Sequence, residues 1–319
     1  MTQLSVGILM DPIESIKRYK DSSFAMLLEA QRRGHKIWYM EASDLSLVNG
    51  RAWARQRSLS VTDSDNEWFS FGEGRHVPLS QCDTILMRKD PPFDIGYITL
   101  TWFLDLAESE GTLVVNPPAA LRNFNEKLAI SHFPQFCTPA LVSGNSDELK
   151  SFLETHGEIV VKPIDTMGGE SIFKLQHGDL NTNVILETVT NRGSRVIMAQ
   201  GFIPEISAGD KRILIVDGKP APYALARIPS EDEFRGNLAA GGTGAGQPLS
   251  ERDLEIASTV GEFLREQGIL FAGIDVIGDY LTEINITSPT CIRELDAQFD
   301  LNISADLFDA IEERCAGAS

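Results

Sequence analysis

Apolar and polar residues follow two rhythms along the first third of the chain. Short apolar runs recur at 6–10, 36–40, 84–87 and 112–115, each bounded by polar or turn residues, as buried strands are. Between them, 22–33 and 98–110 carry apolar positions at helical spacing. Gly34 and Gly111 follow these segments where a helix C-terminus favours glycine. Strands separated by helices predict a parallel sheet with helices on both faces. The run at 6–10 is too short for a signal sequence, has no basic start and ends in Asp11-Pro12, so it reads as the first strand. No apolar stretch approaches the roughly 18 residues of a membrane span.

Asn116-Pro117-Pro118 interrupts this pattern, and a domain boundary is expected near residue 122. Beyond it the rhythm changes to short strands at 158–162, 172–175, 196–200, 211–216 and 223–227, with helices at 147–155 and 253–266. This predicts an α+β region in two subdomains. Residues 235–246 contain five glycines and three alanines and read as a mobile loop.

The net charge of −18 and a pI near 4.7 change the list of partners. A surface this acidic repels nucleic acid and anionic membranes, so neither is expected, and a polyphosphate would need a local cluster of cations, amides or metal. The four cysteines (Cys82, Cys137, Cys291, Cys315) form no CxxC pair and read as reduced, cytoplasmic thiols. The five histidines are scattered singly, which argues against a His-ligated metal.

Candidate chemistry lies in the segment 273–285, an expected hairpin turning near Gly278-Asp279. On a strand, Glu283 and Asn285 point to one face. A carboxylate and an amide oxygen are hard ligands suited to Mg²⁺. Asp275 joins them only in the right register. A two-residue loop puts Asp275 across from Thr282, whereas a three-residue loop puts it opposite Glu283. An odd-length loop or a bulge is therefore expected. The same pattern also suits an acidic, solvated hairpin face.

Lys162 ends an apolar strand and is followed by a turn containing Gly168 and Gly169, whose amides could approach phosphate oxygens while the lysine supplies charge. Arg212 and Arg227 lie on neighbouring strand candidates and could clamp a transferring phosphoryl group or form ordinary surface ion pairs. There is no GxxxxGK[ST], no GxGxxG at 241–246, no GxSxG and no kinase signature.

The order Lys127, Lys162, Arg212, Arg227, Asp275, Glu283, Asn285 resembles the ATP-grasp superfamily. Longer strings are similar to those of bacterial glutathione synthetases: Met10-Asp11-Pro12-Ile13, Asp21 to Met26, Met87 to Asp94, Arg235 to Gly242, and Thr282 to Arg293. The resemblance implies an ATP-grasp fold in three parts. These are an N-terminal α/β substrate domain (1–122), a central lid subdomain (123–202) and a C-terminal catalytic subdomain (203–319). It implies ligation of γ-glutamylcysteine to glycine with ATP, through an acyl phosphate.

By the same resemblance, Lys127, on a helix, and Lys162 hold the phosphates beside Gly168 and Gly169. Gln200, Gly201, Phe202 and Ile203 hold adenine through the backbone, and Asp210 meets the ribose. The family usually has Asn-Tyr where this chain has Gly201-Phe202. Asp275, Glu283 and Asn285 would bind two Mg²⁺ ions, with Mn²⁺ as a substitute. Arg212, Arg227 and Arg235 would stabilise transferring charge, and the 235–246 segment would exclude water. Arg88, Asp21, Ser22 and Ser23 would hold the γ-glutamyl end, Ser288 and Thr290 would lie near glycine, and Asn237 would also meet substrate. A homotetramer is implied as well. The competing readings are another ATP-grasp ligase acting on D-alanine or glutamate, and a non-catalytic ATP-binding protein of the same fold. A nicotinamide-dependent dehydrogenase is a further possibility from the βαβ pattern alone, but it lacks the fingerprint.

Overall fold

The structure, a computed structural model, describes residues 3–230, 236 and 243–317. Three sheets organise it. The first contains β1 (Ser5–Leu9), β2 (Lys36–Met40), β3 (Leu45–Val48), β4 (Arg51–Val61), β5 (Phe69–Pro78), β6 (Thr84–Met87) and β7 (Leu113–Val115), with helices α1 (Ser22–Arg32) and α2 (Ile95–Ser109) in its connections. Strands β1, β2, β6 and β7 pair in parallel, as the alternation of strands and helices requires. Asp21 caps α1 and Asp94 caps α2, each accepting a hydrogen bond from a backbone N–H of the first turn.

The sheet is mixed rather than wholly parallel: β3, β4 and β5 form an antiparallel meander added through β2. Burial alternates residue by residue at the start of β4, but its inward positions there are Ala52, Ala54 and Gln56. Small or polar inward residues leave no hydrophobic alternation to read, so the sequence gives no strand there.

After α3 (Pro118–Asn123), the second sheet is wholly antiparallel, in the order β10 (Phe173–Gln176), β9 (Glu158–Pro163), β11 (Ile197–Gly201), β8 (Ala140–Ser143). Helices α4 (Ser146–His156) and α5 (Thr182–Val189) cover one face. Leu149, Leu153, Leu186 and Val189 pack there against Ile159, Val161, Ile197 and Ala199. The alternate residues, Val160, Lys162, Met198 and Gln200, therefore face the opposite way, away from α4 and α5.

The third sheet runs β14 (Thr243–Pro248), β13 (Lys219–Ile228), β12 (Asp210–Val216), β15 (Phe271–Ile277), β16 (Tyr280–Asn285). Helix α6 (Glu251–Glu266) packs Ile256, Ala257, Val260 and Leu264 on the face bearing Ile213, Ile215 and Ile274. Helices α7 (Ile292–Phe299) and α8 (Ile303–Gly317) cover Leu214, Val216 and Leu225 on the other face. The segment read as a loop over 235–246 lies partly in β14. There Gly246 is required, since a Cβ would stand 2.2 Å from the Phe299 ring. The rest of that segment, apart from Gly236, is outside the described residues.

Two buried contacts tie the first sheet to the rest. The Asn116 side chain donates to the carbonyls of Phe271 (2.7 Å) and Ile286 (2.6 Å) and accepts from the N–H groups of Leu270 and Phe271, so it is fully satisfied. On α1, Glu29 pairs with Arg32 and Arg33, and Arg33 reaches the Ala305 carbonyl, Asp309 and Glu312 of α8.

Burial opposes ionisation of Glu29. The hydrogen bonds from Arg32, Arg33 and Asn302 outweigh it and hold the carboxyl down at about 2. Its folded pKa lies below the unfolded value of 4.5. Its stabilising contribution is therefore present above that value and lost as pH falls toward 2. Glu29→Gln is expected to lower the melting temperature at neutral pH and to flatten the fall of stability across that acid window, measured by thermal denaturation against pH. Asn116→Ala, which leaves several buried backbone groups unpaired, is expected to destabilise by about 3 kcal/mol or more in denaturant titration.

Candidate active site

The hairpin of β15 and β16 settles the register question. Its loop has two residues, Gly278 and Asp279, with Ile277 opposite Tyr280 and Val276 opposite Leu281. Uninterrupted, this would set Asp275 against Thr282. A bulge at Thr282 shifts the ladder by one, so that Asp275 faces Glu283 and Gly273 faces Asn285. The expected bulge is present, and Asp275, Glu283 and Asn285 share one face, turned inward.

Strands β12 and β13 bring Arg212 and Arg227 to the same place. Both guanidiniums are buried. Arg212 grips Asp275 with Nε and with Nη2, the latter at 2.8 Å, and Arg227 reaches the same carboxylate at 2.9 Å and also pairs with Asp210. Gly273 makes room for this, because a Cβ there would meet Arg212 Cδ at 2.8 Å. Burial opposes the charge on Asp275, but the two arginines overcome it and hold the carboxyl at about 2. Asp210 differs: burial, with Asp275 and Glu283 nearby, outweighs Arg227 and pushes it up to about 7.

The second sheet supplies the other wall. Lys162 Nζ lies 3.4 Å from Glu283 Oε1 and 3.3 Å from the Thr282 carbonyl, which is the bulge residue. Lys127 Nζ is 3.9 Å from Glu283, pairs with Glu126 and donates to the Thr166 carbonyl. Lys127 is not on a helix. It immediately precedes the short 3-10 turn Leu128–His132, held there by Asn125, which accepts from its N–H. The Glu283 carboxyl is burdened by burial yet held low by Lys127 and Lys162. Burial and Glu283 push Glu126 up. Glu126 also bears on Asn285: with the amide oriented by its neighbours, so that nitrogen meets acceptor and oxygen meets donor, Asn285 donates to Glu126 (2.7 Å) and accepts from Arg212 (3.2 Å).

Part of this cluster borders a cleft of about 800 Å³ between the second and third sheets, whereas Arg212, Arg227, Asp275 and Asn285 are buried behind its lining. Lys127, Lys162, Gly168, Gly169, Gln200, Gly201, Phe202, Ile203, Asp210 and Glu283 all line it, with Val160, Ile172, Ile206 and Ile277 as apolar walls. Gly168 and Gly169 have positive φ (65° and 82°), the conformation that turns backbone amides in a tight loop. Gly236 also lines the cleft, where a Cβ would clash with the Arg227 carbonyl at 2.4 Å.

A second cleft of about 1110 Å³ lies against the first sheet, lined by Asp11, Lys17, Lys20, Asp21, Asp90, Thr290 and Glu294 among others. It gathers Asp21 and Thr290 but not Arg88, Ser22 or Ser23. Those are buried and committed inward: Arg88 donates to Ser23 Oγ (2.9 Å) and the Pro289 carbonyl (3.0 Å), and Ser22 accepts from the Ile292 N–H. Ser288 is half-buried in the turn after β16. Arg235 and Asn237 lie outside the described residues. The sequence reading missed Glu126, Lys17, Lys20, Asp90 and Glu294. Charged residues scattered through the first domain and the hairpin's neighbour carry no spacing signal that would group them.

The chain matches the model of the prokaryotic glutathione synthetase N-terminal domain over residues 4–122 and that of the prokaryotic glutathione synthetase ATP-grasp domain over 126–300. It is 53% identical to the glutathione synthetase of Vibrio parahaemolyticus, over 98% of this chain and 99% of that protein. With the glutathione synthetase of Escherichia coli O157:H7 it is 54% identical, over 98% and 99%. Among solved structures it resembles D-cycloserine synthetase DcsG (TM-score 0.67, 14% identity, 97% and 99% covered). It also resembles D-alanyl-alanine synthetase A from Vibrio cholerae (TM-score 0.61, 14% identity, 99% and 100% covered). At such identities the structural likeness carries the fold alone.

Removing the anion at 275 leaves two buried guanidiniums without their shared partner. Asp275→Asn is therefore expected to destabilise by about 3–5 kcal/mol in denaturant titration, whereas Glu283→Gln, which leaves Lys127 paired with Glu126 and Lys162 bonded to the Thr282 carbonyl, is expected to destabilise clearly less while the chain stays folded.

Proposed function

The chain belongs to the prokaryotic glutathione synthetases, ATP-dependent C–N ligases that join γ-glutamylcysteine to glycine, and from that premise we propose which of its residues perform each part of the ligation. The observation that carries the proposal is the meeting of Lys127, Lys162 and Glu283 on one cleft between two antiparallel sheets. We assign this cleft to ATP. The phosphates lie at the Lys127, Lys162 and Gly168-Gly169 end, the base lies by the strand end at Gln200 to Ile203, and the ribose meets Asp210, whose buried Oδ1 has no partner among the described residues.

Charge balance supports a divalent metal. At the cleft and behind it, four cations (Lys127, Lys162, Arg212, Arg227) meet four carboxyl groups, of which Asp275 and Glu283 are held ionised while burial pushes Glu126 and Asp210 toward the neutral form. Two of the cation charges are already offset by Asp275 and Glu283, so a polyphosphate added there would bury uncompensated negative charge unless cations arrive with it. Among the described residues no three His, Cys, Asp or Glu side chains form a metal site by themselves. That fits Mg²⁺, which is usually held by one or two carboxylates together with substrate phosphates. Asp275, Glu283 and Asn285 are the proposed protein ligands for two ions, Mn²⁺ being a chemically similar substitute. When bound, the ions would neutralise phosphate oxygens.

The ligation itself has two steps. The cysteinyl carboxylate attacks the γ-phosphorus, forming a C–O–P linkage as the bridging bond to ADP breaks. The glycine amine then attacks the acyl carbon, the C–N bond forms, the nitrogen gives up a proton and phosphate leaves. The obstacle in the first step is the approach of two anions. Lys127 and Lys162 reduce that repulsion by binding the phosphates, and Arg212 and Arg227, oriented by Asp275, stabilise the charge in transit. The dipeptide is assigned to the cleft of Asp21 and Thr290. There Lys17 and Lys20 suit the α-carboxylate of the glutamyl end, and Asp11, Asp90 and Glu294 suit its ammonium. The working parts divide near residues 122 and 202. A homotetramer in the cytoplasm belongs to the same proposal.

Phosphate release is expected with ATP, γ-glutamylcysteine and glycine together, and to be far lower when D-alanine or glutamate replaces either partner. Glu283→Gln is expected to abolish ligation while circular dichroism stays native, and unchanged turnover would remove Glu283 from the site.

A further inference from the structure

The hairpin of β15 and β16 is gripped at its turn from the side away from the cleft. Lys211 lies between Asp210 and Arg212 on β12, so its side chain points to the opposite face, toward α6. Its Nζ donates to the Gly278 carbonyl (2.9 Å) and pairs with Asp253, a buried residue in the first turn of α6. The neighbouring Arg252 donates through Nε to the Asp279 carbonyl (3.2 Å), and its guanidinium rests 4.8 Å from the centre of the Phe136 ring. Both carbonyls of the two-residue turn thus accept from cations tied to one helix end. Asp253 is itself fixed, accepting from the Ser250 N–H (3.0 Å) in a capping box. Gly278 has the positive φ (56°) that the first position of such a turn favours. An apolar pair in place of Lys211 and Asp253 would often serve stability equally well, but it would leave the turn carbonyl unheld.

We propose that Lys211, braced by Asp253, and Arg252 are positioning residues for the phosphate end of the cleft: they pin the turn, and through it the bulge that faces Lys162. This rests on the assignment of the cleft to ATP. The ladder between turn and bulge consists of two residue pairs, Ile277 with Tyr280 and Val276 with Leu281, so a displaced turn moves the bulge with it. The bulge presents the Thr282 carbonyl and the Glu283 carboxylate to Lys162 Nζ, at 3.3 and 3.4 Å. A bulge interrupts the ladder locally and is the point at which a hairpin bends. Holding the turn from behind therefore fixes the distance between Lys162 and the acids without placing a further charge in the cleft.

The test uses two variants of the full chain. Lys211→Met combined with Asp253→Asn removes the donor to Gly278 without stranding a buried carboxylate. Arg252→Met, at a partly exposed position, removes the donor to Asp279 and decides alone should the double variant not fold. Kinetics are read with ATP, Mg²⁺, γ-glutamylcysteine and glycine, and backbone hydrogen exchange is read without ligands. The double variant is expected to raise the KM for ATP by about tenfold, the effect of losing one hydrogen bond to a charged group. Arg252→Met is expected to act in the same direction, and the KM for γ-glutamylcysteine to stay unchanged in both. Exchange is expected to quicken across 278–285 but not across 36–40 in the first sheet. A wild-type KM for ATP in the folded variants overturns the inference. So does an equal rise in KM for both substrates with exchange quickened in both segments, which is general loosening. Lys162→Met, run in parallel, separates the two levels. If it raises the KM for ATP while the turn variants do not, only the positioning inference fails. If it leaves the KM for ATP unchanged, the assignment of the cleft fails and the inference with it.

Discussion

Arg212 and Arg227 are buried side by side in the third sheet, and both share the carboxylate of Asp275, with Asp210 as the second partner of Arg227. Much of the site hangs on that arrangement. Isolated buried guanidiniums would cost several kcal/mol each, so the sheet could not keep two cations at its working end without this anion. The pairing also fixes their orientation, since Arg212 binds with two nitrogens in a fork geometry. Arg212 in turn donates to the Asn285 oxygen, and Asn285 donates to Glu126. Orientation thus passes from one buried side chain to the next across four strands, β13, β12, β15 and β16, and into the segment that carries Lys127.

The bulge at Thr282 is the backbone counterpart of this network. It places Glu283 opposite Asp275, and it leaves the Thr282 carbonyl where Lys162 of the second sheet can reach it. A single unpaired residue therefore sets both the order of the acids and the approach of the opposite wall. Glu126 adds a further tie, its carbonyl accepting from the N–H of Ile284 beside the acids.

Much of this was legible in the sequence where spacing and chemistry coincide. Glu283 and Asn285 are two residues apart on a strand, and bringing Asp275 to the same face required either an odd-length loop or the bulge that is found. Lys162 stood out because a charged residue ended an apolar run. The parallel part of the first sheet was legible because its strands are buried on both faces. The meander over β3, β4 and β5 was not, since its inward residues are small or polar, and β14 was hidden because glycine, which carries no hydrophobic signal, is what its packing against Phe299 demands. The position of Lys127 depends on a side-chain cap from Asn125, and the inward commitment of Arg88 depends on Ser23 and on the Pro289 carbonyl, 201 residues away. No local pattern encodes partners at that distance.

Helix α8 returns to the first domain, where Arg33 of the α1 end meets the Ala305 carbonyl across a sequence separation of 272 residues. The core that holds Val6, Phe24 and Tyr39 also holds Leu307, Phe308 and Ile311. The opening α/β segment, as it leaves the ribosome, therefore exposes an apolar flank for as long as the intervening chain is being made. Its folding is coupled to synthesis of the third sheet and the helices after it. A fragment ending at the first domain boundary would carry that flank bare, prone to aggregation, and the modular look of the fold does not translate into separable modules.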